Sequence, residues 1–521
     1  MLKVMLQPHI RFAFLFLILG AFFGLLYALN LLGIGINLLQ PDDLARSLHI
    51  SLMLYGFIPL MMTLLPFLLF EKEGVLQKSS LVNISRFLWL WYIFLIFMII
   101  SISKDVTRGL PFYDFSYELN AILVIAGLFY IVAFIQNVRA YVVKPLWLKV
   151  SLFLVAISPI ALLVLMNPQY GQVEKSLQGP HGDNTLGMSF ALVAIYYLVI
   201  KLRSQYVSFQ TKWHILWIIP LIGYILSVIY RISLGTLSYN AEWFLQYLTL
   251  FYIPLLYRWI KDAKLNFSKD YLLYISISAF LFADIEGNIL FIPYLRHLFH
   301  RNDLVVGHAH IAVGIGLLFM ALSIIQEYIS IKKLLAYFLA FMLLGIGSVL
   351  TISGIEQARF ATLHTKTLWE LRASFGALFL FGLLVQLFWF YKDFFKTIKT
   401  FDKVRVYNLV GFTSDGLGGL VLILFGKIVY YFVNQSFTAG YQEVVFAFVT
   451  SIGAIHLLGV IYPKYGNIVA LATVLVRIIV SAIFFALYKN GTLGTLALAI
   501  SAVDFLFVLV YLMWIKDDLL Q

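Results

Sequence analysis

Residues 302–316 read N-D-L-V-V-G-H-A-H-I-A-V-G-I-G and place two histidines, His308 and His310, at the start of a long apolar run. Successive helical residues turn by about 100°, so side chains two apart diverge by roughly 200°. On one membrane helix the two imidazoles therefore face opposite flanks. They cannot chelate one metal together, but each can ligate a separate haem iron on its own side. An ionisable side chain within a membrane marks a functional position by default. The competing reading is a pair of neutral histidines hydrogen-bonded inside a helical bundle, and these two residues alone do not decide between them.

Apolar runs of this kind recur along the whole chain. The 521 residues are 62% hydrophobic, 17% aromatic and only 12% charged, and mean hydropathy is +0.93. Runs of 18 or more apolar residues are too long for barrel strands, and backbone groups in lipid must be satisfied within each segment. The fold class is therefore all-α, a polytopic membrane helical bundle. The chain has no cysteine, which excludes disulfides, thiolate ligands and cysteine nucleophiles. A net charge of +12 calls for no nucleic-acid partner, because positive-inside loops supply it. No small-residue cleavage site follows the first apolar segment, so that segment is expected to stay as a helix.

About 16 spans are predicted, near 11–36, 47–70, 83–103, 118–141, 147–167, 185–203, 213–232, 242–260, 270–292, 304–327, 331–353, 370–393, 407–433, 441–461, 466–488 and 493–515. Alternate loops differ in basic content, and the richer set, which includes Lys392, Lys396, Lys399, Lys403 and Arg405, places both termini in the cytoplasm. Spans two, six and ten then begin at the outer face. His49 and the His308/His310 pair share one depth, as a common cofactor layer requires. The basic segment 392–405 separates twelve spans (1–395) from a four-helix membrane extension (396–521). That extension carries Ser414–Gly419, S-D-G-L-G-G, read as a close helix contact, and a lone His456 read as structural.

His49 lies in R-S-L-H-I-S-L-M-L-Y-G-F and is the other histidine at the right depth within a span. It is the candidate partner of one iron, giving a six-coordinate, bis-histidine centre suited to electron transfer. The other haem keeps one open face. His297 and His300 flank a basic outer loop with Arg296 and Arg301, and the remaining histidines read as ordinary.

The stretch F-A-D-I-E-G-N-I-L-F-I-P-Y-L-R-H-L-F-H-R-N-D-L-V-V-G-H-A-H (282–310) resembles the ninth and tenth helices of subunit I of haem–copper oxidases, specifically the C-family (cbb-type). R-S-L-H at 46–49, K-P-L-W at 144–147, S-G-I at 353–355 and R-A-S-F-G at 372–376 follow in the family's order, covering about residues 40 to 395. The resemblance implies a twelve-helix oxidase-like core with two haems, b-type, and an electron donor such as a membrane-anchored cytochrome c subunit or a quinol. It gives His308 as the axial ligand of the substrate-binding haem, and His310 with His49 as ligands of the low-spin haem. Glu286 matches the family's E-G glutamate near the active site, with a structural carboxylate–arginine pair as the alternative. Arg296 and Arg301 would pair with haem propionates, unless they are solvated loop charges.

The chain departs from the family at the copper site. Asp183 stands where a copper-binding histidine is expected, and Gly235 and Thr236 where two adjacent ones are expected; Ile229 occupies the place of the cross-linked tyrosine. Copper wants imidazole or sulfur donors, so copper is expected to be absent. Asp183, Glu286 and His181 are the donors left for a non-haem iron. The implied function is a respiratory oxidoreductase in the bacterial inner membrane, of cytochrome c oxidase or nitric oxide reductase type. Two alternatives stand beside it. One is a copper-less haem protein that binds or senses a diatomic gas or serves as an accessory subunit; the other is a transporter that kept the fold and lost the haems.

Overall fold

The computed structural model describes residues 2–34, 43–107, 114–166, 182–204, 215–235, 237–299, 302–360, 366–398, 401–432 and 435–514, without side chains at 158–166, 182–188, 231, 393–398, 428 and 514. The described chain is helical, and its β structure is an isolated bridge between Thr107 and Phe115. Thirteen described helices are long and apolar enough to cross a membrane. Three of the predicted spans fall outside that number. The helix Leu146–Met166 has a shorter apolar stretch, Leu146–Ile157, and Gly182–Arg203 is helical with part of its side chains outside the described set. Residues 239–262 form two helices joined by a 3-10 turn, and Glu242, Arg258, Lys261 and Asp262 interrupt their apolar character.

In chain order the helices are α1 (Leu2–Leu31), α2 (Asp43–Lys72), α3 (Ser80–Ser103), α4 (Tyr117–Val138), α5 (Leu146–Met166), α6 (Gly182–Arg203), α7 (Ile215–Leu234) and α8 (239–262). They continue with α9 (Tyr271–Leu290), α10 (Asp303–Ile325), α11 (Lys333–Phe360), α12 (Lys366–Ile398), α13 (Lys403–Lys427), α14 (Tyr441–Ile461), α15 (Gly466–Lys489) and α16 (Thr495–Trp514). The chain divides into two compact units, Met1–Phe390 and Tyr391–Gln521, with the boundary inside α12.

In the first unit α1 packs on α2, and α10 is flanked by α9 and α11. The α10–α11 contact depends on residues without side chains. A β-carbon on Gly354 would stand 2.3 Å from the backbone nitrogen of Leu304, and one on Gly307 would stand 2.8 Å from the carbonyl of Gly347. Neither gap admits a methyl group, so the small residues set how near the helices come. Asn302 caps α10 by accepting from the Leu304 nitrogen at 3.0 Å, as an N-cap side chain should. From His310 to Leu317 the helix widens into a π turn, a feature that often sits at functional sites.

One edge of this unit is tied by the sequence Glu71-Lys72-Glu73. Lys72 Nζ donates to the carbonyls of Lys201, Leu202 and Ser204 at 3.0, 2.8 and 2.7 Å, closing the C-terminal end of α6, where helix carbonyls lack intrahelical partners. Glu73 accepts from Tyr141 at 2.5 Å and from the indole of Trp147 at 2.9 Å, which gives the K-P-L-W stretch a structural role. Burial, followed by that bond to Glu73, raises the Tyr141 hydroxyl above its ordinary range.

In the second unit α15 packs on α16, and α14 packs on a second π turn, Phe412–Leu417. A β-carbon on Gly453 would stand 2.0 Å from the nitrogen of Gly416. The glycines of 414–419 thus let two backbones meet.

Candidate functional site

The π turn on α10 begins at His310, and the two histidines ahead of it and at its start do diverge. His310 turns toward α2, where His49 waits, while His308 turns toward α9. The imidazole centres of His49 and His310 are 6.2 Å apart, with planes inclined by 19°. Each ring is fixed from behind by a backbone carbonyl: His49 Nδ1 by Gly20 at 2.8 Å, and His310 Nδ1 by Val306 at 2.8 Å. A carbonyl oxygen only accepts, so Nδ1 carries the hydrogen on both rings and Nε2 keeps the lone pair. That is the tautomer a metal-ligating histidine needs, with its second nitrogen held by an outer partner. Two metal–imidazole bonds of about 2 Å bring ring centres to about 6 Å across one ion. The observed spacing therefore admits a single iron between the two rings.

The seat of His49 is cut into α1. A β-carbon on Gly24 would stand 2.6 Å from its Nδ1, and Gly20, one turn earlier, supplies the carbonyl. The guanidinium of Arg372 on α12 lies within electrostatic reach of both rings and of Asp303. Asp303 in turn accepts, at Oδ2, from Ser353 at 2.7 Å, Gln357 at 2.9 Å and Trp369 at 3.2 Å.

On the other flank, His308 Nδ1 lies 3.1 Å from Glu286 Oε2. The carboxylate–arginine pairing considered for Glu286 is thus replaced by a carboxylate–imidazole pairing. An ionised Glu286 would accept an Nδ1 hydrogen at Oε2, which would leave Nε2 of His308 as the free donor of electrons. Asp284, two residues before Glu286 on the same helix, is buried with Oδ2 unpartnered and lies within electrostatic reach of His308. Beside it, Asn288 Nδ2 donates to Thr249 Oγ1 at 3.0 Å and to the Asp284 carbonyl at 2.8 Å.

Arg296 is 8% exposed, and its Nη1 and Nη2 are buried without a hydrogen-bond partner. The guanidinium carbon lies 4.9 Å from the Phe291 ring centre and 5.0 Å from that of Tyr239. A buried cation with unused donors is costly unless an anion meets it. An acidic side group of a bound cofactor fits this donor set. His297 is exposed, and His300 and Arg301 lie outside the described residues. His181 and Thr236 lie outside them as well, and Asp183 opens α6 with its side chain outside the described set. Gly235 follows the end of α7 with φ +91°, a left-handed helix terminator that glycine suits. Among the described residues no three histidine, aspartate or glutamate side chains gather to hold a metal ion on their own.

The two imidazoles, His308 and Glu286 were all singled out in the sequence. Gly20, Gly24, Arg372, Asp303 and Asp284 were not given roles there. Arg372 stands in the quoted R-A-S-F-G stretch and Asp284 in F-A-D-I-E-G, so their signal was position within a motif. For the two glycines of α1 no local signal existed.

No family model matches the chain, and no curated protein matches it. Among solved structures, a heme–copper terminal oxidase dimer determined by cryo-electron microscopy is similar to it, with 12% sequence identity and a TM-score of 0.47 over 75% of this chain and 83% of that one.

Proposed function

We propose that the first unit is a copper-less membrane haem protein of the C-family oxidase type, holding two b-type haems and passing electrons to oxygen or nitric oxide. The observation that supports this most is the His49–His310 pair: two imidazoles from separate helices, 6.2 Å apart, each with Nδ1 fixed on a carbonyl. Such haems, when bound, supply one-electron transfer at a six-coordinate iron and diatomic-ligand binding at one with an open face.

In this reading His49 and His310 hold the low-spin haem and His308 the other. Glu286 accepts the Nδ1 hydrogen of His308, orients the ring and makes Nε2 a stronger electron donor. Arg296, and Arg301 five residues later in sequence, receive propionates; Arg372 adds positive charge next to the low-spin pair. Asp183 and Glu286 are the candidate catalytic carboxylates of this reading. Electrons come from a membrane-anchored cytochrome c subunit or another donor, and the chain sits in a bacterial inner membrane with both termini cytoplasmic.

A second reading, binding or sensing of a diatomic gas without turnover, is favoured by Asp183, Gly235 and Thr236 at the positions where copper ligands are expected. Optical spectra and metal analysis of the purified protein test both. Two haems per chain, no copper, and carbon monoxide binding to one haem are expected. Consumption of oxygen or nitric oxide with an artificial electron donor selects the oxidoreductase, and binding without consumption selects the sensor. A chain that carries no haem would overturn both.

A further inference from the structure

The second unit has a polar centre of its own. Its four spans carry Lys403, Arg405, Lys427, Glu443, Lys464 and Lys489 near their ends. Three charged residues stand instead at the middle of their spans: Asp415 on α13, Arg477 on α15 and Asp504 on α16. They meet. Arg477 Nη2 donates to Asp415 Oδ2 at 2.5 Å and Arg477 Nη1 donates to Asp504 Oδ1, with the guanidinium 3.7 Å over the Phe507 ring. The arginine side chain is 3% exposed. Asp415 lies in the π turn, the wider coil that delivers it to this position.

A fourth titratable group faces the same carboxylate. His456 on α14 is fully buried, and its Nε2 lies 3.9 Å from Asp415 Oδ2 without a hydrogen-bond partner. Its tautomer follows from its neighbours. Asn408 Nδ2 donates to the carbonyls of Val404 at 3.1 Å and Gly466 at 3.0 Å, so Asn408 Oδ1 faces His456 Nδ1 at 2.9 Å. An amide oxygen only accepts, so Nδ1 carries the hydrogen and Nε2 is a bare lone pair aimed at a carboxylate. The seat is tight, since a β-carbon on Gly411 would stand 2.5 Å from that Nε2. Tyr407 packs its ring 5.8 Å from the imidazole and 5.9 Å from that of Tyr511. Neither tyrosine contributes a charge at neutral pH.

Charge balance decides what this arrangement does. With both aspartates ionised and His456 neutral, one guanidinium faces two carboxylates, and the membrane interior holds one uncompensated negative charge. Such a charge is expensive in a low-dielectric interior. One added proton cancels it, and every acceptor for that proton is present. On Nε2 of His456 it forms a new N–H that points at Asp415; on Asp504 it forms a carboxylic acid while Arg477 stays paired with Asp415. No electron moves, and the proton is exchanged with water.

We propose that the second unit carries a membrane-buried proton-exchange site, in which one proton is shared between Nε2 of His456 and the carboxylates of Asp415 and Asp504 around Arg477. Dicyclohexylcarbodiimide, an apolar reagent that adds to protonated carboxyl groups inside membranes, tests this on the full wild-type chain. Mass mapping is expected to find the adduct at Asp504 or Asp415, with a yield that falls as the pH is raised. No adduct at either aspartate at any pH overturns the proposal. Loss of the adduct on adding sodium at fixed pH also overturns it, because the site would then hold a metal cation. Infrared spectra supply an independent readout. A carboxylic-acid C=O band that shifts in D2O and disappears in Asp504→Asn or Asp415→Asn is expected, and a band spectrum unchanged by both substitutions counts against the shared proton.

Discussion

A β-carbon on Gly24 would stand 2.6 Å from Nδ1 of His49 and 2.8 Å from its Cε1. The imidazole occupies the place that any other residue would fill. Gly24→Ala must therefore push the ring off its bond to the Gly20 carbonyl and out of line with His310. Overpacking of this kind costs about 1–3 kcal/mol, too little to unfold a chain of this size. The expected outcome is loss of the low-spin haem spectrum with the carbon monoxide-binding component retained. An unaltered spectrum would show that His49 is not an axial ligand.

His310→Ala removes the opposite ring and leaves His308 with its Glu286 bond intact. The low-spin component is expected to disappear or to become five-coordinate, while the second haem remains. Reduced-minus-oxidised spectra read this directly. If both components survive the substitution, the ligand assignment on α10 fails.

Glu286 acts on the other flank through His308. Glu286→Ala leaves a half-buried Nδ1 hydrogen without its acceptor, which costs about 1–3 kcal/mol. Loss of an outer partner of a metal-ligating histidine lowers metal affinity by about 10–100-fold. Retention of the carbon monoxide-binding haem is expected to fall accordingly. Glu286→Gln, which keeps an acceptor oxygen without the charge, should restore occupancy but raise the reduction potential, since the ring becomes a weaker electron donor. Equal behaviour of both variants with wild type would leave the Glu286–His308 bond without a role.

Asp303 collects three donors, from Ser353, Gln357 and Trp369, at one carboxylate oxygen. Asp303→Ala strands them where α10 and α11 meet. Hydrogen bonds to a charged group contribute about 1.5–3 kcal/mol each, so a loss of several kcal/mol and a clearly lower melting temperature in detergent are expected. An unchanged melting curve would contradict the account of the α10–α11 contact.

The helices themselves were legible in the chain because lipid leaves the backbone few options: an apolar run of sufficient length must close its own hydrogen bonds. The opposed directions of His308 and His310 were legible for the same reason, since a helical period converts spacing into direction. Direction does not name a neighbour. That His310 meets His49 and His308 meets Glu286 depends on which helices lie on either side of α10, and those choices are made by contacts distant in sequence.

Spacing also cannot show an absence of atoms. Gly20 and Gly24 matter through the room and the bare carbonyl they offer to a side chain on α2, and Gly453 through the backbone of Gly416 that it admits. In the second unit the sequence places Asp415, Arg477 and Asp504 at mid-span, because each is a lone charge in an apolar run. Packing decided that they share one point, and that His456, which alone reads as structural, turns its free nitrogen toward them. The one-dimensional pattern determined where charges and imidazoles sit along each helix axis; the folded bundle determined their partners, because rotation and proximity of neighbouring helices are set by side-chain volume across the whole interface.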